Sequence, residues 1–177
     1  MNKNFLETAI FLFLLSIIDH FMNNFSEILN IFLAALTPIG ELRASIPLGL
    51  TVFHQPVWIV FIVSVIGNII PPMIILWLFP KFSKWIMQRS ELMNKFLTWL
   101  FERTRKKTKD KIEKYGDIAL IIFVAIPLPN TGAWTGALAA WLFGIPFKKA
   151  VLNIFYGVLI AGVVVTIITI GIKSFLP

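Results

Sequence analysis

Two charged residues lie close together in a long apolar part of the chain, and their side chains could carry chemistry. Glu41 and Arg43 are the only Asp, Glu, Lys or Arg residues between Glu27 and Lys81. Ionisable residues inside membrane segments usually mark functional sites. Glu41 could take up and release a proton or a cation, and Arg43 could hold a phosphate or carboxylate through its planar guanidinium group. The two side chains could instead pair with each other or cap broken helix ends.

A second group of polar residues lies between two apolar runs, from Pro129 to Thr135. Within it, Asn130, Thr131, Trp134 and Thr135 provide an amide, two hydroxyls and an indole donor. A helix that begins near Thr131 would add free backbone amides and the positive end of its dipole, which suit an anion. Alternatively, the threonines bond back to their own helix and Trp134 only packs. We predict that this segment forms the half of the site opposite the charged pair.

Ser45 and Asn68 complete the predicted set of residues that bind the substrate or an ion. Ser45 lies two residues after Arg43, and Asn68 lies in the middle of the next long apolar run. Asn68 shares a helical face with Ser64, four residues before it. Polar residues of this kind also hold membrane helices together, so a purely structural role for Asn68 is the alternative.

The composition indicates an integral membrane protein. The chain has 177 residues, of which 58% are hydrophobic, and its mean hydropathy is +0.84. Several runs reach or approach the roughly 20 apolar residues that are needed to cross a bilayer. There is no cysteine, and the two histidines are far apart in sequence, so we expect no metal ion and no cofactor. The chain has no nucleophile elbow, phosphate-binding loop or paired-carboxylate motif, which argues against an enzyme.

The basic residues are concentrated in one segment. Eleven of the 16 Lys and Arg residues lie between Lys81 and Lys114. In a soluble protein the net charge of +7 would suggest nucleic acid. A single basic block in an apolar chain is instead typical of a cytoplasmic loop near anionic lipid, so we expect no nucleic-acid partner. The first half of the block has apolar residues at helical spacing, which predicts an amphipathic helix in the membrane interface.

The pattern of apolar runs and breaks divides a single membrane domain, 1–177, into four parts. They are an N-terminal membrane helix over 1–24, a first repeat over 25–79, the basic connector over 80–116 and a second repeat over 117–177. In each repeat a Pro/Gly break separates two apolar arms that are too short to span, and a full-length span follows. Gly116 is predicted to end the helix of the connector, and Asp117 to cap the helix that follows.

Charge and spacing predict that the two repeats are inverted relative to each other. Gly67 and Gly157 are 90 residues apart. If the second repeat enters and leaves the membrane on one side, Lys148-Lys149 and the basic connector are both cytoplasmic, in line with the positive-inside tendency. The predicted fold is all-α, with two re-entrant helical hairpins that meet near the membrane midplane, each followed by a transmembrane helix. Five ordinary crossings with kinks are the alternative.

Three motifs carry a resemblance to a known family. They are ELRASIPLG at 41–49, GNIIP at 67–71 and PLPNTGAWTGA at 127–137. In this order they resemble the small multi-drug export protein family of bacteria and archaea, from about Thr37 to the C-terminus. Asn130 departs from the glycine that the family commonly has. More remotely, the two facing elements resemble the DedA (VTT) superfamily, which implies movement of lipids, including polyprenyl-phosphate carriers, with ion or proton coupling.

These observations lead to one main functional hypothesis and two alternatives. The main hypothesis is a DedA-like secondary transporter of the prokaryotic cytoplasmic membrane, which translocates an anionic lipid or lipid phosphate with proton or cation coupling. The alternatives are an exporter of small hydrophobic or drug-like compounds, and a structural or assembly protein without a substrate. Membrane lipids are expected partners, and whether the chain forms a homodimer is left open.

Overall fold

Helices make up the regular structure of the described part of the chain. The computed structural model describes residues 22–127 and 131–175, with the exception of the side chains of 103–115. The elements in order are α1 (22–36), α2 (Glu41–Pro47), a π-helical turn (Leu48–Val52), α3 (Val57–Arg89), α4 (Glu91–Ala125), α5 (Ala133–Phe143) and α6 (Phe147–Phe175). The predicted all-α class is therefore confirmed for these residues. Residues 1–21 of the membrane helix predicted over 1–24 lie outside the described part of the chain.

Two of the helices, α3 and α6, are long and apolar enough to cross a membrane. Their outward faces carry large apolar side chains. Trp58 and Trp77 on α3 and Ile167 on α6 are each more than half exposed. Proteins in water rarely leave apolar surface open along whole helices, because its exposure is unfavourable. These faces are therefore the surfaces that we expect to contact lipid.

The predicted Pro/Gly break separates α1 from α2. The Thr37 hydroxyl donates to the Ala34 carbonyl at 2.8 Å and accepts from the Gly40 amide at 3.1 Å. These local bonds satisfy backbone groups that the end of α1 leaves free. The next residue, Glu41, has a φ of 46°, which is uncommon for a residue with a side chain. Backbone positions of this kind occur disproportionately at functional sites.

The basic connector is shared between two helices. Its first residues continue α3 as far as Arg89. Ser90 then begins the next helix, because its hydroxyl accepts from the Met93 amide at 3.3 Å and caps the N-terminus of α4. The boundary between α3 and α4 thus lies inside the connector, and the apolar stripe predicted for its first half is divided between the two helices.

The caps predicted at Gly116 and Asp117 are wrong, because α4 continues through both residues to Ala125. Gly116 is buried, and Asp117 contacts a neighbouring helix rather than the start of its own. The Asp117 carboxylate accepts from Asn153 Nδ2 at 2.7 Å and lies 3.5 Å from Lys149 Nζ. Contacts between helices therefore outweigh the local signal for a helix end, which is worth only about 1 kcal/mol.

Two glycine contacts occur at corresponding positions in the two halves of the chain. A Cβ atom at Gly67 would lie 2.8 Å from the Ala35 Cβ, and one at Gly157 would lie 2.6 Å from the Val124 Cβ. In both cases the added Cβ atom would also lie 2.9 Å from a backbone carbonyl oxygen, that of the residue three positions before the contacted one. The contacted residues are 89 positions apart and the glycines 90. In each half, a glycine thus lets the preceding arm pack closely against the long helix.

The helices α3 and α6 run in opposite directions. At one end of the pair, Lys84 of α3 and Phe147 of α6 line the same cavity. At the other end, Lys173 Nζ donates to the Leu50 carbonyl oxygen at 3.2 Å, just before the chain enters α3. The basic residues at the end of α3 and those at the start of α6 therefore lie at the same end of the molecule.

Candidate functional site

Glu41 connects two parts of the chain that are far apart in sequence. Its carboxylate accepts from the Trp134 amide through Oε1 at 3.2 Å and from the Ala133 amide through Oε2 at 3.4 Å. These amides belong to the first turn of α5, where backbone donors have no partner within the helix. The negative charge also faces the positive end of the helix dipole. Glu41 therefore caps a helix that begins 92 residues later.

The close approach of Glu41 to α5 depends on glycine at position 132. Gly132 has a φ of 138°, a conformation that side chains strongly disfavour. A Cβ atom there would overlap Glu41 Oε2 and would lie 2.7 Å from the carboxyl carbon. The Gly132 carbonyl accepts from the Gly136 amide at 2.8 Å and so makes the first bond of α5. Gly132 thus sets the start of the helix and leaves space for the carboxylate.

Arg43 holds the segment that leads into α5. Its Nη2 atom donates to the carbonyl oxygen of Thr131 and to the Thr131 hydroxyl, the latter at 3.1 Å. The same hydroxyl donates to the Ile126 carbonyl at 2.7 Å. Both residues of the charged pair are described, and they make no ion pair within 4.0 Å. Direct pairing of Glu41 and Arg43 is therefore wrong, whereas capping of broken helix ends describes the geometry.

Glu41 is buried, with 6% of its surface exposed. Burial of a charged group is unfavourable unless the group is paired or hydrogen-bonded, and the two α5 amides provide hydrogen bonds to this carboxylate.

The structure also describes three other residues that were predicted from the sequence: Thr135, Ser45 and Asn68. Thr135 Oγ1 donates to the Gly132 carbonyl at 3.3 Å, so this threonine bonds back to its own helix, as one alternative predicted. Ser45 and Asn68 are buried on α2 and α3, with exposures of 0% and 1%. Two predicted residues lie outside the described part of the chain: Pro129 and Asn130.

Four buried side-chain atoms have no hydrogen-bond partner among the described residues. They are Ser45 Oγ, Ser64 Oγ, Asn68 Oδ1 and Trp134 Nε1. Three of the four belong to residues predicted from the sequence to bind the substrate or an ion. A buried polar group without a partner costs about 1–3 kcal/mol, so such groups are uncommon unless they receive water, an ion or a ligand. These unpartnered atoms are therefore a second candidate feature of the site.

A cavity of about 650 Å³ lies beside Arg43, between the segment that contains α2 and the end of α6. Its polar lining comes from Arg43, Thr51, Thr169 and Lys173, and its apolar lining from Pro47, Pro127, Val165, Ile168 and Ile172. The two charged residues in this lining are both cationic. A cavity of this size and composition can accept an apolar body together with a negatively charged group.

The profile of the small multi-drug export protein family matches residues 41–164, which is more than half of the chain. The chain belongs to this family. No curated protein and no solved structure matches it significantly. Membership of an export family, together with the two long apolar helices, indicates a multi-pass membrane protein. The remote resemblance to the DedA superfamily stays a prediction.

The region matched to the small multi-drug export family contains both sides of the contact between Glu41 and α5, since it begins at Glu41 and includes all of α5. Lys173 lies beyond its end, and sequence reasoning missed this residue. The available signal was weak: Thr169 and Lys173 share a helical face, and Lys173 is the only charged residue after Lys149. The sequence does not identify the α5 amides as the partners of Glu41, because every residue except proline has a backbone amide.

Proposed function

We propose that this chain is a small membrane transporter that exports amphiphilic compounds with an apolar body and an anionic group. The cavity beside Arg43 carries this proposal, because its apolar walls also hold Arg43 and Lys173. The family name supports export, and an export protein is a transporter rather than an enzyme. The DedA resemblance favours an anionic lipid or lipid phosphate as the substrate, with a proton or cation moving through Glu41.

We further propose the inverted repeat, with 25–53 and 118–143 as re-entrant hairpins. The corresponding glycine contacts support it, because the same packing recurs at a separation of about 90 positions. The shared cavity at Lys84 and Phe147 supports a cytoplasmic location for both the basic connector and Lys148-Lys149. In this arrangement the contact between Glu41 and α5 lies near the membrane midplane, where broken helices bind substrates in other transporters.

The topology can be mapped with single cysteines, because the chain has none of its own. We expect a cysteine at position 52 (Val52→Cys) to react with a membrane-impermeant maleimide on intact cells. A cysteine at position 148 (Lys148→Cys) should react only after the cells are permeabilised. Both positions are exposed, so the labelling of each variant before and after permeabilisation serves as the control for the other variant. Labelling of position 148 on intact cells would contradict the inverted arrangement.

Transport itself can be tested with purified protein in liposomes that contain a lipid phosphate with a fluorescent acyl chain. Movement between leaflets is measured as the fluorescence lost to dithionite. Arg43→Ala and Lys173→Ala should each slow this movement about tenfold or more, because a hydrogen bond to a charged group is worth about 1.5–3 kcal/mol. Lys148→Ala is the matched control, since it removes the same charge from an exposed position outside the cavity lining.

Three substrates separate the functional hypotheses. They are the lipid phosphate, an uncharged lipid with the same acyl chains and a small hydrophobic dye. Faster movement of the lipid phosphate alone supports the anionic substrate, whereas export of the dye alone would favour the drug-export alternative. If none of the three moves, the chain has a structural role and the proposal fails. Lys173→Ala keeps the test informative if Arg43→Ala does not fold, because it leaves the Arg43–Thr131 bonds in place.

A further inference from the structure

Two buried serines differ from other hydroxyl residues on the helices. Thr166 donates to the Gly162 carbonyl at 2.7 Å, and Thr169 makes the same bond to the carbonyl four residues before it at 2.8 Å. This is the usual way in which a hydroxyl in an apolar helix satisfies itself. Ser45 and Ser64 are both 0% exposed, and within the described chain neither hydroxyl has a partner. Their oxygen atoms are therefore available to another group.

The helices that carry these serines run in opposite directions and contact each other. A Cβ atom at Gly49 would lie 2.7 Å from both methyl groups of Val60, so the π-helical turn packs directly against the start of α3. Only residues 53–56 separate the two elements. A connection of this length reverses the chain, so α2 and α3 are antiparallel neighbours. Positions on the two helices can therefore be matched by equal steps away from the Gly49–Val60 contact.

Steps of about one helical turn from that contact lead to polar residues on both helices. Four residues before Gly49 is Ser45 on α2, and four residues after Val60 is Ser64 on α3. Another four residues in the same directions are Glu41 and Asn68. All four side chains are buried, the last two at 6% and 1% exposure. By this count, the four buried polar residues occupy matching turns of α2 and α3, beginning one turn away from the Gly49–Val60 contact.

The backbone around Asn68 adds further oxygen atoms. Pro71 and Pro72 both lie inside α3 and are buried. Because proline has no N–H group, the carbonyl oxygens of Gly67 and Asn68 cannot accept the usual helical bond from four residues later. The side-chain oxygen of Asn68 also lacks a partner among the described residues. Oxygen atoms that lack the usual helical bond or any described partner therefore lie on one turn of α3, about two turns after Val60.

We propose that Glu41, Ser45, Ser64 and Asn68 form a binding site for a small monovalent cation, Na⁺, between α2 and α3. Hard cations prefer oxygen ligands, and this site offers a carboxylate, two hydroxyls, an amide oxygen and freed backbone carbonyls. Glu41 supplies the negative charge and has no cationic partner within 4.0 Å in the described chain. The role of this Na⁺ as a coupling ion rests on the proposed function. The binding of Na⁺ itself can be tested without a substrate.

The test measures the melting temperature of the purified full chain in detergent, in NaCl, KCl and choline chloride at equal ionic strength. We expect the melting temperature to rise with NaCl until it saturates, because an ion that binds only the folded state stabilises it by mass action. Radioactive Na⁺ should bind to the same protein with a stoichiometry of one ion per chain. Equal melting temperatures in all three salts, without Na⁺ binding, would overturn the proposal and leave water as the partner of these oxygens.

Ser64→Ala separates an ion site from a merely unsatisfied hydroxyl. Removing a buried hydroxyl without a partner should leave the melting temperature in choline chloride unchanged or higher. The affinity for Na⁺ should nevertheless fall by about tenfold or more, since a ligand is lost. Thr166→Ala is the matched control, because it removes a buried hydroxyl that already bonds to its own helix. Full Na⁺ affinity in Ser64→Ala would contradict the proposed ligands. These readouts need no lipid, so failure of Na⁺ binding and failure of transport are distinguishable.

Discussion

Replacing Gly132 by alanine should lower the free energy of unfolding by about 3 kcal/mol or more, through two separate effects. The φ of 138° at this position is strongly unfavourable for any residue with a side chain. The new methyl group would also overlap the Glu41 carboxylate, so this carboxylate would have to leave the amides of α5. One methyl group therefore strains the backbone and breaks the contact between the two halves of the chain.

The Gly132→Ala variant can be compared with Gly171→Ala by thermal unfolding of the purified protein in detergent. A Cβ atom at Gly171 would have nothing within 4 Å, and this residue lies inside α6. Alanine is favoured over glycine within a helix by about 1 kcal/mol, so this control should be unchanged or slightly more stable. If Gly132→Ala were as stable as the original chain, the described approach of Glu41 to α5 would be wrong.

Replacing Glu41 by alanine should cost about 2–4 kcal/mol, because the first amides of α5 lose their acceptors while they remain buried. Glu41→Gln keeps one side-chain oxygen at the same place but loses the charge. We therefore expect it to cost about half as much, since a bond to a neutral acceptor is roughly half as strong as one to a carboxylate. The difference between the two variants measures the contribution of the negative charge at the helix end.

Hydrogen exchange shows whether this cost arises at the predicted place. In Glu41→Ala, the amides of Ala133 and Trp134 should exchange faster, and the free energy of unfolding should fall. Glu91→Ala is the matched control, since it removes an exposed carboxylate that pairs with Lys95 one turn later. Such a pair contributes about 0.5 kcal/mol at most. Unchanged exchange at the start of α5 in Glu41→Ala would rule out the capping role.

The contact between the charged pair and the segment before α5 could be predicted because polar residues are scarce in this chain. Glu41 and Arg43 are isolated charges in an apolar part, and buried charges need partners. The segment with Thr131 and Trp134 offered the largest group of polar side chains elsewhere. Residue type and hydropathy were sufficient to bring these segments together, although they lie about 90 positions apart.

The details of the contact could not be predicted in the same way. Glu41 binds backbone amides, which every residue except proline possesses, so residue type gives no information about them. The helix end predicted at Gly116 was wrong because the local preference of glycine is weaker than the packing of α4 against its neighbours. Lys173 was missed because its relevance depends on how the end of α6 lies beside α2, which is a property of the whole fold.

The cap on α5 also has a consequence for the synthesis of the protein. Glu41 leaves the ribosome 92 residues before Ala133, its partner. At a synthesis rate of about 5–20 residues per second, roughly 5 to 20 s pass between the addition of Glu41 and that of the residues whose amides bind it. During this time the Glu41 carboxylate lacks its final partners. The contact between Glu41 and α5 therefore forms only after α5 has been made, and α6 follows it in the chain. The earlier segments depend on the insertion machinery or on water until then.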